Sequence, residues 1–312
     1  MVEYVKLKDE DSPKKKGPSS QEDKPPIITL RRVVWSIVII ILLSILISSC
    51  AVSIAPKIAI VPISGELTTS QSQSLFDART SSRVIANQIY TLADDNSVRA
   101  IILDINSPGG SPVASDEIAQ AVMYATELKP VHVVFSDLGT SGAYWVAASA
   151  TKIYSAPLSI VGSIGVTSAT LSFENFIEEW NISYRAQVAG EFKDMGSPFR
   201  EQREEEIIKM QELLDTVHLE FIEHIANSRN MSIGEVTQLA TGEIFLGREA
   251  VELGLVDELG YIRDVIENLE EELGSGLLVM TFAPSRSTTL FSILNPLSDL
   301  HSLSNQPIIN LR

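Results

Sequence analysis

Residues 99–110 read RAIILDINSPGG. Between Arg99 and Ile105 lies a short apolar run rich in β-branched isoleucine, and Asn106-Ser107-Pro108-Gly109-Gly110 stops it. An apolar run of this length, closed by turn-forming residues, reads as a buried strand. The same grammar repeats on both sides. Upstream, Ile58-Ala59-Ile60-Val61-Pro62-Ile63 reads as a strand; downstream, so do Val131–Ser136 and Lys152–Ser155. Helices are expected between them at Ser74–Leu92, at Ser115–Leu128 and in the Ala-rich stretch that ends at Ala150. Strands alternating with helices call for crossover connections and a mainly parallel α/β sheet. A long amphipathic helix is expected over Glu201–Asn227, where Glu201, Glu204, Glu205 and Glu206 suit the positive end of its dipole. Helical units at Ile233–Ala240, Gly247–Leu253 and Glu267–Leu273 complete a domain over 57–281. Residues 282–312, rich in Ser, Pro and Asn, are expected as a loose tail.

The N-terminus has a different chemistry. Residues 1–32 are polar, with Lys14-Lys15-Lys16 and Pro25-Pro26, and cannot bury enough apolar surface to fold alone. Residues 33–55, VVWSIVIIILLSILISSCAVSIA, carry no charge. Roughly twenty residues at about 1.5 Å each cross a hydrocarbon core of about 30 Å, so a transmembrane helix is expected here. Lys14, Lys15, Lys16, Lys24, Arg31 and Arg32 precede the span and only Lys57 closely follows it. The positive-inside rule then keeps the N-terminus cytoplasmic and sends the domain across. Ile47-Ser48-Ser49-Cys50 also resembles a lipoprotein-processing box, which would replace the helical anchor with an acyl one.

The formal net charge of −16 argues against nucleic-acid binding, which needs clustered Lys and Arg. The single cysteine, Cys50, excludes a disulfide within the chain and argues against a cysteine zinc site. His218 and His224 stand six apart, off a shared helical face, and do not suggest a metal pair. No metal or cofactor is expected.

Two strand-to-helix turns carry the chemistry. Adjacent glycines at 109 and 110 let backbone N–H groups approach a ligand closely, as an oxyanion hole requires. In Gly139-Thr140-Ser141-Gly142-Ala143, a serine flanked by small residues sits where a nucleophile is exposed, and the next N–H can serve the oxyanion. The plainer readings are a tight turn and an N-cap serine. A nucleophilic serine needs a base. His132 falls in an expected strand and His218 and His224 on the long helix, so none of these occupies a loop of catalytic character. A lysine can serve if burial lowers its pKa to about 7–8, at a cost of roughly 4 kcal/mol. Lys193 lies in Gly190-Glu191-Phe192-Lys193-Asp194-Met195-Gly196-Ser197-Pro198-Phe199, which has little helical or strand pattern; by itself it also reads as a solvated surface charge.

Five blocks in order resemble the short, single-repeat bacterial form of the signal peptide peptidase A (protease IV) family. They are Ile105–Gly110, Ser141-Gly142-Ala143-Tyr144, Val161–Val166, Phe192-Lys193-Asp194 through Ser197-Pro198-Phe199, and Gly247-Arg248-Glu249-Ala250 through Gly254-Leu255-Val256-Asp257. The resemblance covers about 57–275. It implies a Clp-protease/crotonase-like fold and a Ser–Lys peptidase, with Ser141 as nucleophile, Lys193 as general base and Ser163 orienting the amine. Oxyanion donors would be the N–H of Gly142 and that of Gly109 or Gly110. It also implies a homo-oligomer held at the bacterial inner membrane, its catalytic domain periplasmic. Cleaved signal peptides and other unfolded segments would be the substrates, and the dyad would be completed within a subunit or between subunits. The chain departs from many relatives in carrying Ala143 where glycine is common, which leaves the Gly142 donor in place. Crotonase-type acyl-CoA enzymes share the fold pattern, and an inactive membrane scaffold is a third reading. The membrane segment and the context of Ser141 count against the acyl-CoA enzymes, and the intact Ser141, Ser163 and Lys193 against the scaffold.

Overall fold

The computed structural model describes residues 35–44, 55–70, 79–283 and 308–309. The chain falls into two units, Met1–Ser53 and Ile54–Arg312. In the first, residues 35–44 form a helix with exposed side chains. No helix among the described residues is long and apolar enough to cross a membrane. The leader 1–32 and residues 33–34 and 45–54 of the expected span lie outside the described residues.

The second unit begins with β1 (Lys57–Ser64), β2 (Leu67–Thr68), β3 (Thr80–Ser81) and α1 (Ser82–Asp94). Next come β4 (Val98–Ser107), α2 (Pro112–Thr126), β5 (Val131–Thr140), α3 (Gly142–Ala148), β6 (Lys152–Ser155) and β7 (Ile160–Gly162). They are followed by α4 (Glu174–Glu179), α5 (Glu204–Arg229), α6 (Ile233–Leu239), β8 (Ile244–Leu246), α7 (Gly247–Glu252), β9 (Glu258–Leu259), α8 (Ile262–Leu273), β10 (Leu278–Thr281) and β11 (Ile308–Ile309). The sheet runs β11-β10-β1-β4-β5-β6-β9. Its neighbours are parallel except β10 and β11. Strand β5 is long enough to pair twice on one edge, with β6 through His132–Phe135 and with β7 through Leu138–Thr140. β8 then adds antiparallel to β7.

Both faces of the central strands are covered, which is why β1 and β4 are continuous apolar runs. Successive side chains leave a strand on opposite faces. Ala59, Val61 and Ile63 therefore join Ile101, Leu103 and Ile105 in the larger core beneath α1, α2 and α3, with Ile85, Ile89, Ile118 and Val122 from the helices. Ile58, Ile60, Ala100 and Ile102 face the other way and pack with Val265 and Leu269 of α8. Each large aliphatic side chain buried this way contributes about 1.5–3 kcal/mol relative to exposure.

Several elements differ in extent from the sequence reading. The described part of the first helix starts at Ser82, because Thr80–Ser81 are extended against Leu67–Thr68; residues 71–78 lie outside the described residues. The next helix starts at Pro112, whose fixed φ and missing N–H are both tolerated in a first turn. Strand β5 runs past Ser136 to Thr140 because β7 gives its last residues a partner. From the expected tail, Ile308–Ile309 run antiparallel to β10, and 284–307 and 310–312 lie outside the described residues.

What positions the site is the common direction of β4, β5 and β7. All three end on the same sheet margin, with Ser107 level with Gly139 and Thr140 level with Gly162. Crevices beyond the carboxyl ends of parallel strands are where open α/β sheets bind ligands.

Candidate active site

The turn after β4 is built on glycines that no other residue can replace. Gly109 has φ +96°, and a Cβ there would stand 2.6 Å from the Gly142 nitrogen. A Cβ on Gly110 would run into the Leu67 backbone. The turn is sewn to β2 by Leu67 N–H donating to Gly109 O at 2.8 Å and Ser111 N–H donating to Leu67 O at 2.9 Å. The Ser107 hydroxyl accepts from Gly109 N–H at 3.1 Å and donates to Gly65 O at 2.6 Å. Gly109 N–H is thereby occupied, while Gly110 N–H donates to no group among the described residues.

The turn after β5 places Ser141 at φ 52°, ψ −126°, with its N–H donating to Gly162 O at 2.8 Å. Such a conformation costs a non-glycine residue of order 1–3 kcal/mol and persists only where the surroundings impose it. Among the described residues, the other non-glycine positive-φ positions are Ser163, Asn181 and Asn230. Asparagine tolerates that region, so the two serines are the unusual cases. They follow Thr140 and Gly162, which are level on neighbouring strands, and this sets Ser141 beside Ser163. Beneath them, α3 is a close-packed platform in which Ala143, Tyr144, Val146, Ala147 and Ala148 are fully buried. The Tyr144 hydroxyl donates to Leu255 O at 2.8 Å, and burial pushes its pKa up. A Cβ on Gly142 would collide with the Ser115 hydroxyl and lie 3.3 Å from Gly110 N, so the backbones of Gly110 and Gly142 stand side by side.

These groups open on a cavity of about 480 Å³ lined by Gly110, Ser141, Gly142 and Ser163, with Trp145, Val217, His218 and Phe221 forming an aromatic and aliphatic wall. One chain thus brings Ser141, Ser163, Gly110 and Gly142 to a single cavity, with Gly109 packed against Gly142. Lys193 does not line it. Its side chain is exposed, on a stretch of turns between Gly190 and Arg200.

The histidines divide. His132 is buried in β5 against Tyr154, and burial pushes its pKa down. His224 stacks on Trp145 with ring centroids 4.7 Å apart and bonds through Nε2 to Trp145 O at 2.9 Å. Burial pushes its pKa down as well. His218 is the residue the sequence reading passed over. Its Nε2 is buried without a partner among the described residues, as is Trp145 Nε1, and both side chains line the Ser141 cavity. A helical pattern shows that His218 lies on α5; which neighbour that face meets depends on tertiary packing. Among the described residues no group of three His, Cys, Asp or Glu side chains could hold a metal ion.

Residues 125–275 match the model of peptidase family S49, and residues 70–160 that of Clp protease. A protein of Methanocaldococcus jannaschii named "putative protease" is 36% identical over 189 residues, 61% of this chain and 61% of its own length. A "putative signal peptide peptidase SppA" of Enterococcus faecium is 31% identical over 218 residues, 69% of this chain and 63% of its own. A "putative protease" of Synechocystis is 30% identical over 208 residues, 67% of this chain and 71% of its own. The match to the first two spans about three fifths of those relatives' length.

Proposed function

The chain belongs to peptidase family S49, and on that premise we propose that it is a serine endopeptidase in which Ser141 is the nucleophile and Lys193 the general base. The observation that carries the reading is Ser141, held at positive φ over the cavity where the N–H groups of Gly110 and Gly142 stand together. In the proposed reaction the neutral Lys193 amine takes the Ser141 hydroxyl proton as Oγ bonds to the peptide carbonyl carbon. The carbonyl oxygen becomes an oxyanion and accepts from Gly110 and Gly142. Such donors act without reorganising during reaction; removing one costs about 10²–10³ in kcat. The ammonium of Lys193 then protonates the departing amine, leaving an acyl ester on Ser141. Lys193 next deprotonates a water, which attacks the ester carbon; the C–Oγ bond breaks, the ammonium returns its proton to Ser141 Oγ, and the acid leaves. The Ser163 hydroxyl, beside Ser141, suits the role of orienting the amine.

Lys193 is exposed and outside the cavity, which favours a homo-oligomer in which one subunit's lysine reaches the serine of the next. Contact with that neighbour would also supply the desolvation a lysine base needs. The substrates we propose are cleaved signal peptides and other unfolded segments, in keeping with the printed name of the E. faecium relative. The uncharged run 33–55 and the basic residues before it support a single-pass inner-membrane anchor with the domain on the periplasmic side.

A second reading has one observation in its favour: His218, whose Nε2 has no partner among the described residues, lines the Ser141 cavity and would serve as base within one chain. Hydrolysis of an unstructured peptide by the full-length protein separates the two. Ser141→Ala should abolish both turnover and labelling by a fluorophosphonate. Lys193→Ala should be similarly inactive, and His218→Ala should keep turnover within about tenfold of wild type. Activity surviving Lys193→Ala but lost in His218→Ala would replace the lysine with the histidine. Activity surviving Ser141→Ala would end the peptidase proposal.

A further inference from the structure

The segment that carries Lys193 has neither helix nor strand to hold it, yet the groups flanking the lysine are tied down. Arg200 donates to Asp194 Oδ2 at 2.8 Å, to Asp194 O at 2.6 Å, and to Glu206 Oε1 and Oε2 at 2.7 and 3.0 Å. Arg203 donates to Glu191 O at 2.6 Å and to Glu206 Oε1 at 2.7 Å, and its guanidinium lies over the Phe192 ring. Tyr184 donates to Asp194 Oδ1 at 2.8 Å. Glu206 joins the two arginines from the first turn of α5, and its side chain is only 1% exposed. Glu191, Phe192 and Asp194 are thus all held, whereas the Lys193 amine makes no ion pair among the described residues.

We propose that Arg200, Arg203 and Glu206 form a clasp that fixes the backbone presenting Lys193 and keeps the carboxylates of Asp194 and Glu206 engaged with cations other than its amine. This rests on the reading of Lys193 as the base. A lysine paired to a carboxylate stays protonated and cannot accept the serine proton. Six carboxylates lie on the surfaces around this segment: Glu174, Glu178, Glu191, Asp194, Glu201 and Glu206. Arg200 holds Asp194 and Glu206, the two the clasp engages directly. The forked guanidinium matters, because a lysine offers a point charge that cannot bridge two carboxylates and a carbonyl in fixed geometry. Arg200, Arg203 and Glu206 are positioning residues, since none of them lines the Ser141 cavity.

The test measures kcat, KM and the rising limb of the kcat/KM pH profile in the assembled full-length protein, with circular dichroism and sedimentation as controls of fold and assembly. Arg200→Lys should lower kcat roughly tenfold or more with KM nearly unchanged, the effect of a displaced reacting group. Its limb should stay in place. Arg200→Gln should lower kcat as much and also move the limb to higher pH, because Asp194 loses its cation and Glu206 keeps only Arg203. A purely structural role would move Tm without moving the limb. If Lys193→Ala is inactive while Arg200→Gln keeps wild-type kcat and limb, the clasp is overturned and the base assignment stands. If Lys193→Ala is fully active, the base assignment has failed, and the clasp with it. Should Arg200→Gln not fold, Arg200→Lys decides; an unchanged kcat there overturns the proposal.

Discussion

Gly110 tests whether the backbone, apart from any catalytic side chain, carries part of the chemistry. Among the described residues its N–H is unspent, whereas that of Gly109 donates to the Ser107 hydroxyl. An alanine at 110 would drive its Cβ into the Leu67 backbone, so the turn must move away from β2 and carry the donor with it. Gly110→Ala is expected to lower kcat by about 10²–10³, with KM changing far less, since the oxyanion exists only in the transition state. Steady-state kinetics check this; a variant whose KM rises while kcat holds would assign the turn to substrate binding. The strain at Ser141 belongs to the same arrangement. Its amide is held by Gly162 and its neighbours are packed without slack, so the hydroxyl stands over the cavity instead of capping α3.

At the scale of elements, α5 runs from the Lys193 segment to the Ser141 cavity. Its first turn holds the Lys193 segment through Glu206, and farther along His218 and Phe221 wall the cavity while His224 stacks on Trp145 of α3. Burial favours the neutral form of the His224 ring and holds its pKa below the ordinary value, and His132 shares that shift. A histidine with a depressed folded pKa binds its proton more readily in the unfolded chain. Its stabilisation is therefore complete above the unfolded pKa of about 6.5 and is lost as pH falls through the folded value. Wild-type Tm should drop between pH 7.5 and 5.5, and His224→Gln should drop less, with His132 supplying the remainder; equal slopes would remove His224 from the account. The strands of this unit were legible in the sequence because β1, β4 and β5 are apolar runs cut off by turn residues, and burial on both faces leaves that signature. Gly109, Gly110 and Ser141 were legible for the same reason, as small residues at strand ends. The inward aspect of His218 was not, because α5 is amphipathic throughout and its periodicity does not say which neighbour a face meets. Nor was the difference between Gly109 and Gly110, which turns on one hydrogen bond from Gly109 N–H to the Ser107 hydroxyl.

For the whole molecule, the proposed dyad has to bring an exposed Lys193 to the Ser141 cavity. Around the lysine the chain exposes large apolar side chains, among them Leu171 at 74%, Trp180 at 67%, Phe176 at 55% and Ile182 at 56%. Apolar surface on this scale marks a contact with protein or membrane. A second copy of the chain laid there in a closed ring would bury it, desolvate the lysine and bring each amine to the next subunit's cavity. This arrangement makes a prediction that no intramolecular dyad shares. Ser141→Ala and Lys193→Ala proteins, each inactive alone, are unfolded together and reassembled in equal amounts. If the dyad spans subunits, a site works whenever an intact serine meets an intact lysine next door, so about a quarter of sites should recover in a closed cyclic assembly. If both groups come from one chain, every site in the mixture lacks one of them and nothing recovers. Peptide turnover by the mixture, set against mock-mixed single variants, reads the difference directly. A null result with ring assembly shown by sedimentation would return Lys193 to its own subunit, where the segment from Gly190 to Arg200 would have to move toward the cavity before catalysis.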